Sequence, residues 1–195
     1  MRKFAFFVVG LPHSGKELTA NLLSHFLNVP RASSSSIVYD ALASRRGVQR
    51  WELEASPKVE ITPELEQMGN VMCEIDPAAL VAPLLRRGVR IIHGIRRRVE
   101  LCAARAEAIQ LGLCPVVVWL DRHGGDFDNT EVTRGDADYI INNHGSVGRL
   151  TELVCELASE FNLPETGFHI GDRGCPPPRG PDTGKDSDLP DSFGD

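Results

Sequence analysis

Apolar residues follow two rhythms along the chain. One is the short unbroken run: KFAFFVVG at 3–10, VRIIHG at 89–94, CPVVVWLD at 114–121 and ADYIINN at 137–143. These runs are rich in β-branched or aromatic residues and stop at glycine, aspartate or asparagine, as buried strands do. The other rhythm is helical. Leu18, Leu22 and Phe26 lie four apart with Leu23 and Leu27 beside them, and Val147, Leu150, Val154, Leu157 and Phe161 share one face behind Ser146, a predicted N-cap. A further helix is predicted after Arg96–Arg98, ending near Gln110. In EIDPAALVAPLLRRG, Asp76 is expected as N-cap, Pro77 as first helical residue, Pro83 as a kink and Gly88 as the stop. Residues 33–70 are mixed and predict two or three helices around a loose middle. No internal repeat is visible. Strands alternating with helices predict an α/β fold in three layers, with a parallel sheet between helices.

Composition divides the chain. Residues 1–163 read as one domain, with a helical insertion over 33–87 and a short lid over 121–136. From Gly171 onward, ten of 25 residues are Gly or Pro and few are large and apolar. Such a segment buries too little surface to offset its ordering entropy, so 164–195 is expected to be a disordered tail. A net charge of −6 argues against general binding to nucleic acid or a membrane surface. The five cysteines are scattered without a C-x-x-C pair, which reads as reduced thiols. The seven-residue apolar run after Arg2 and Lys3 lacks a cleavage site, and no run approaches the roughly 20 apolar residues of a membrane span. The expected setting is the cytoplasm, with small molecules as partners; a homodimer is compatible with all of this.

The chemistry concentrates in GLPHSGK, residues 10–16, between the first strand and the first helix. Gly10, Gly15 and Lys16 satisfy Gly-x-x-x-x-Gly-Lys, the phosphate loop. Glycines let the chain turn tightly and aim backbone N–H groups at phosphate oxygens. The helix adds its positive end, and the lysine reaches the outer phosphates. His13, Ser14, Gly15, Lys16 and Glu17 are therefore expected to line a bound triphosphate. The hydroxyl that should follow the lysine and hold Mg²⁺ is missing: Glu17 and Leu18 stand there. Thr19 is a residue further along, which turns its side chain about 100° around the helix. Metal would then be held through water, by another carboxylate, or poorly, and no metal ligand is assigned.

Three segments, GLPHSGKELTANLL, VRIIHGIRRRVEL and DADYIINNHGSVGRL, resemble the phage-type deoxynucleoside monophosphate kinases, P-loop relatives of adenylate kinase and dephospho-coenzyme A kinase. The resemblance covers roughly residues 4–161. Its third motif is matched at Ala137, Asp138, Ile141, Asn143, Gly145, Ser146 and Leu150, and its second at Gly94, Arg96 and Glu100. It implies a P-loop NTPase fold and phosphorylation of a (deoxy)nucleoside monophosphate by ATP with Mg²⁺. Lys16 would hold donor phosphates, Arg96 would grip the acceptor phosphate, and Arg122, with Arg134, would close over the transferring group. Asn143 and Gly145 would border the adenine. Arg45, Arg46 and Arg50 fall where relatives hold the acceptor, and one of them is expected to contact phosphate. Of Arg97 and Arg98, at least one is expected to be a solvated surface charge. A carboxylate such as Asp121, Asp126 or Asp128 could recruit Mg²⁺, although an acidic hydrophilic loop accounts for most of these charges; DFDNTE lacks the glycine of a calcium loop. The family's aspartate before Gly94 is His93 here. Two other readings stay open: a nucleotide-binding protein without catalysis, and a kinase of another acceptor.

Overall fold

Strand β1, Phe4–Gly10, lies at the middle of a five-stranded parallel sheet of order β2-β3-β1-β4-β5. The other strands are β2 (Arg31–Ser33), β3 (Ile91–His93), β4 (Cys114–Asp121) and β5 (Tyr139–Asn142). The structure, a computed structural model, describes residues 3–122 and 130–162; the tail and the centre of the lid, with Asp126 and Asp128, lie outside them.

The unbroken apolar runs have a simple cause: the sheet is covered on both faces, so alternate residues of one strand enter different cores. Ala5, Phe7 and Val9 join Ile92, Val117 and Trp119 on one face, whereas Phe6 and Val8 join Ile91, Val116, Val118 and Leu120 on the other. Helices α1 (Lys16–Leu27) and α7 (Val147–Asn162) cover the second face with Ala20, Leu23, Leu150, Val154 and Leu157. The first face is covered by α6 (Arg98–Gln110) through Leu101, Ala104 and Ala108, and by α5 (Ala82–Arg86). This is a three-layer α/β arrangement around a parallel sheet, and each fully buried Phe, Leu or Ile in it contributes about 1.5–3 kcal/mol.

The insertion holds α2 (Ser35–Arg46), α3 (Arg50–Ala55) and α4 (Lys58–Ile75), joined by a small cluster of Leu42, Ala43 and Leu53 against which Leu65 and Met68 of α4 pack. Three expectations are corrected. Asp76 ends α4 and does not begin a helix, and Pro77 lies in the turn that follows; the Asp76 carboxylate accepts the Ala78 N–H at 2.9 Å in that turn. Pro83 sits in the first turn of the short α5, where its missing donor costs nothing, so it starts a helix and does not kink one. Val147 begins α7 but is largely exposed, and Ala158 takes a place in the core instead. Ser146 does cap that helix, accepting the Arg149 N–H at 3.2 Å.

The connections set the location of the site. From β1 the chain leaves through α1 on one face, and from β3 through α6 on the other. In open parallel sheets, such a reversal leaves a crevice beyond the carboxyl ends of the strands. Gly10, His93 and Asp121 end the three adjacent strands there.

Candidate functional site

Gly10–Lys16 turns from the end of β1 into α1 along a path only glycine can take at two points. Gly10 has φ +146°, and a β-carbon on it would lie 2.7 Å from the Leu120 carbonyl oxygen. Gly15, the residue before α1, has φ +94°, and its β-carbon would meet Asn143 Nδ2 at 2.7 Å. His13 also takes a left-handed conformation, φ +59°. The loop is braced from the far side of the sheet. Asn143, buried just after β5, donates its side-chain N–H to the Ser14 carbonyl at 2.8 Å and its backbone N–H to the Asp121 carbonyl at 2.7 Å. Arg122, at the end of β4, donates to the His13 carbonyl at 3.2 Å.

Lys16 folds back over the loop and donates to the Leu11 carbonyl. Burial, and then the charge of Arg96, bring its pKa down to about 8. Lys16 and Arg96, expected from the sequence as phosphate ligands on different segments, therefore lie within electrostatic reach of each other. Arg96 itself is exposed and lies 3.7 Å from Glu66 of α4. The Arg96 loop is fixed from beneath by Glu100, a nearly fully buried carboxylate that accepts the Arg96 N–H at 3.4 Å. Burial raises the Glu100 pKa to about 7 against the opposing backbone bonds from Arg96 and Arg97 and the charges of those arginines. From the lid side, Glu131 N–H donates to the Arg96 carbonyl at 2.8 Å.

The other arginines are tied into structure. Arg97 donates to Asn70 at 2.6 Å, and Arg98 is an exposed surface charge that pairs with Asp136 at 2.8 Å. Arg46 pairs with Glu64 at 2.6 Å, and Arg50 with Glu54 at 2.7 Å and Asp40 at 3.2 Å, inside the insertion. Arg45 lies within electrostatic reach of Glu64. Arg134 pairs with Asp121 at 3.2 Å. Gly145 is exposed before α7, with Arg149 as its near neighbour. Asp138 accepts from the Val117 N–H at 2.7 Å and from Arg105 at 3.0 Å, fastening β5, β4 and α6 together.

Sequence reasoning missed the serines. Ser33 ends β2 level with His93, and Ser34 donates its N–H to the His93 carbonyl at 2.8 Å. Both hydroxyl oxygens lie against Gly94, φ +94°, where a β-carbon would meet them at 3.1 Å. Their only signal was a serine run, because β2 is three residues long with a single apolar side chain.

The residues fit a polyphosphate and do not fit Mg²⁺ equally. For the phosphates, the glycine cradle, the start of α1 and Lys16 are all present. For the metal, Leu18 packs into the apolar cluster shared by α1 and α7. Thr19 is fully buried, and its hydroxyl has no hydrogen-bond partner among the described residues. His93 is half-buried; burial lowers its pKa, Glu17 opposes that shift, and Arg31 and Lys16 reinforce it. Among the described residues no cluster of three or more His, Cys, Asp or Glu could hold a metal ion.

No family model matches the chain, and no curated protein matches it in sequence. Among solved structures it is similar to shikimate kinase from Aquifex aeolicus: 17% identity, TM-score 0.47, covering 82% of this chain and 98% of that one. A gluconokinase from Sinorhizobium meliloti gives 13% identity and a TM-score of 0.48, covering 83% of this chain and 97% of that one. An APS kinase from Mycobacterium tuberculosis gives 16% and 0.45, covering 81% and 98%. At these TM-scores none of the three says what this chain acts on. Among the described residues, no helix is long and apolar enough to cross a membrane.

Proposed function

We propose that the chain transfers the terminal phosphoryl group of ATP to a (deoxy)nucleoside monophosphate, giving the diphosphate. The observation that carries this is the cradle itself: Gly10 and Gly15, both at positive φ, turn the chain from β1 into the start of α1, Lys16 folds back over that turn, and Arg96 from the loop after β3 is near enough for its charge to help lower the Lys16 pKa to about 8. Like charges within electrostatic reach of each other cost energy that a bound anion returns. In this reading Lys16 and the loop amides hold the β- and γ-phosphates and Arg96 holds the acceptor phosphate. Arg122 meets charge that develops as the group moves. Asn143 and Gly145 border the adenine. An acceptor phosphate oxygen forms the new bond to the γ-phosphorus while the bond from that phosphorus to the β–γ bridging oxygen breaks, and ADP leaves. Such transfer depends on positioning and electrostatic stabilisation, so no nucleophilic side chain is needed. The proposed setting is the cytoplasm, with nucleotides as partners.

A second reading, nucleotide binding without turnover, is favoured by the apolar packing of Leu18 and the burial of Thr19, which leave no hydroxyl after the lysine for a metal. ADP formation from ATP, with dAMP, dCMP, dGMP or dTMP in turn and with and without Mg²⁺, tests both. Turnover with an acceptor, absent in Lys16→Ala, is the expected result. Lys16-dependent binding with no turnover for any acceptor would favour the second reading, and turnover untouched by Lys16→Ala would overturn the first.

A further inference from the structure

We infer that the loop 10–16 holds nucleoside polyphosphate as the metal-free anion, with protein cations standing where a P-loop ordinarily places a divalent ion. This rests on the phosphate-cradle reading above and goes beyond it. Of the positions that would present oxygen to a cation beside the γ-phosphate, Glu17 keeps an exposed carboxylate and the others do something else. Leu18 is partly buried among α1 and α7 side chains, and Thr19 is sealed beneath the helix at 0% exposure. Asp121, ending the strand next to Gly10, is paired with Arg134. His93 ends the strand on the other side of β1, level with Val8, and an imidazole is a poor ligand for Mg²⁺.

Cations outnumber carboxylates around the loop. The His93 ring feels Glu17 first and then Arg31 and Lys16, Lys16 feels Arg96, which has Glu66 at 3.7 Å, and Arg122 lies on the loop backbone. One carboxylate, Glu17, is exposed on the first turn of α1. A carboxylate is favoured there by the helix's own positive end, which accounts for it without a metal. A crevice already rich in cations gains most from the ligand with the most negative charge. Mg²⁺ removes two charges from a triphosphate and brings a cation that Lys16 and Arg96 repel.

The test is calorimetric titration of the full chain with ATP, once in Mg²⁺ and once in EDTA, with Lys16→Ala beside it. The expected result is binding in EDTA at least as tight as in Mg²⁺, to within about threefold, and weakened tenfold or more by Lys16→Ala in both, since each tenfold step is one lost interaction of ordinary size. A Leu18→Thr/His93→Asp double variant, confirmed as folded by its thermal transition, should acquire tighter binding with Mg²⁺ than without. Wild-type binding that is about tenfold tighter in Mg²⁺, with the difference abolished by Glu17→Gln, would overturn the inference while leaving the cradle intact. A folded double variant still indifferent to Mg²⁺ would overturn the assignment to Leu18 and His93. Absence of Lys16-dependent binding in both media would remove the cradle reading itself.

Discussion

Around Lys16 the chain is held by buried backbone and amide contacts; around Arg96 it is held largely by exposed ion pairs. Gly10 lies against the Leu120 carbonyl, Gly15 against Asn143, and Asn143 bonds the Ser14 carbonyl from a buried position. On the other side, Arg96 and Glu66 meet at 3.7 Å with both side chains more than half exposed, and Arg46 and Arg50 pair with carboxylates that are themselves exposed. Exposed pairs contribute about 0–1 kcal/mol each. In the proposed function the Lys16 side is the donor half, fixed in shape before any ligand arrives, and the Arg96 side is the acceptor half, holding its arginines by contacts weak enough for a phosphate to replace. A rigid cradle facing exchangeable arginines suits a site that binds a constant donor and selects its acceptor.

The largest effect should come from Gly15→Ala. The added carbon would sit 2.7 Å from Asn143 Nδ2 in a φ +94° conformation that an L-residue adopts only at a cost. Loss of ATP affinity of about 100-fold or more is expected, with a lowered thermal midpoint. Near-normal binding by calorimetry would show that the donor half is as soft as the acceptor half. Arg96→Ala comes next: kcat/KM for the acceptor should fall about 100-fold, as loss of a charge-assisted phosphate contact requires. The thermal midpoint should move little, because the pair it gives up is exposed. A large drop in stability would make Arg96 a structural residue and erase the contrast.

Glu100 is the exception on the acceptor side, a buried group beneath exposed ones. Its pKa, raised to about 7 by burial, lies above the ordinary carboxylate value of 4.5. The folded state therefore binds that proton more tightly than the unfolded chain. Its contribution is present at low pH and is lost as pH rises from about 4.5 through 7. Cys73, Arg96 and Arg97 are the groups that face it. Glu100→Gln should gain on wild type by about 2 kcal/mol between pH 5 and pH 8 in denaturant unfolding. Parallel pH profiles would show that Glu100 remains ionised throughout. Asn143→Ala should cost about 1 kcal/mol of stability and weaken ATP about tenfold through the unbraced Ser14 carbonyl.

The donor half was also the more legible half. Four strands, α1, α6, α7 and the loop follow directly from apolar runs, helical spacing and three residues, Gly10, Gly15 and Lys16, because each reports a constraint local in sequence. The brace by Asn143 joins residues 129 apart, and only resemblance had put Asn143 near the site. β2 was invisible because an edge strand of three residues needs no apolar run. Asp76 and Pro83 misled because capping residues serve a turn as well as a helix, and tertiary packing decided which. The arginines could be counted in the sequence, but not sorted: whether Arg96, Arg97 or Arg98 faces a ligand depends on Glu66, Asn70 and Asp136, which the fold brings in from elsewhere.

The smallest effect should be the most discriminating. Glu66 lies 3.7 Å from Arg96, beyond hydrogen-bond contact but close enough to compete with a phosphate for the guanidinium. Glu66→Gln removes the competing charge while keeping the side chain's size. If the acceptor half is held by exchangeable pairs, the acceptor should then bind about two- to threefold more tightly, since an exposed pair of this length is worth only a few tenths of a kcal/mol. The ATP affinity, set by the loop across the crevice, should not change. KM values for both nucleotides in one assay series would settle it. A weakened acceptor would mean that Glu66 orients Arg96 and does not compete for it, and the acceptor half would then be preorganised as the donor half is.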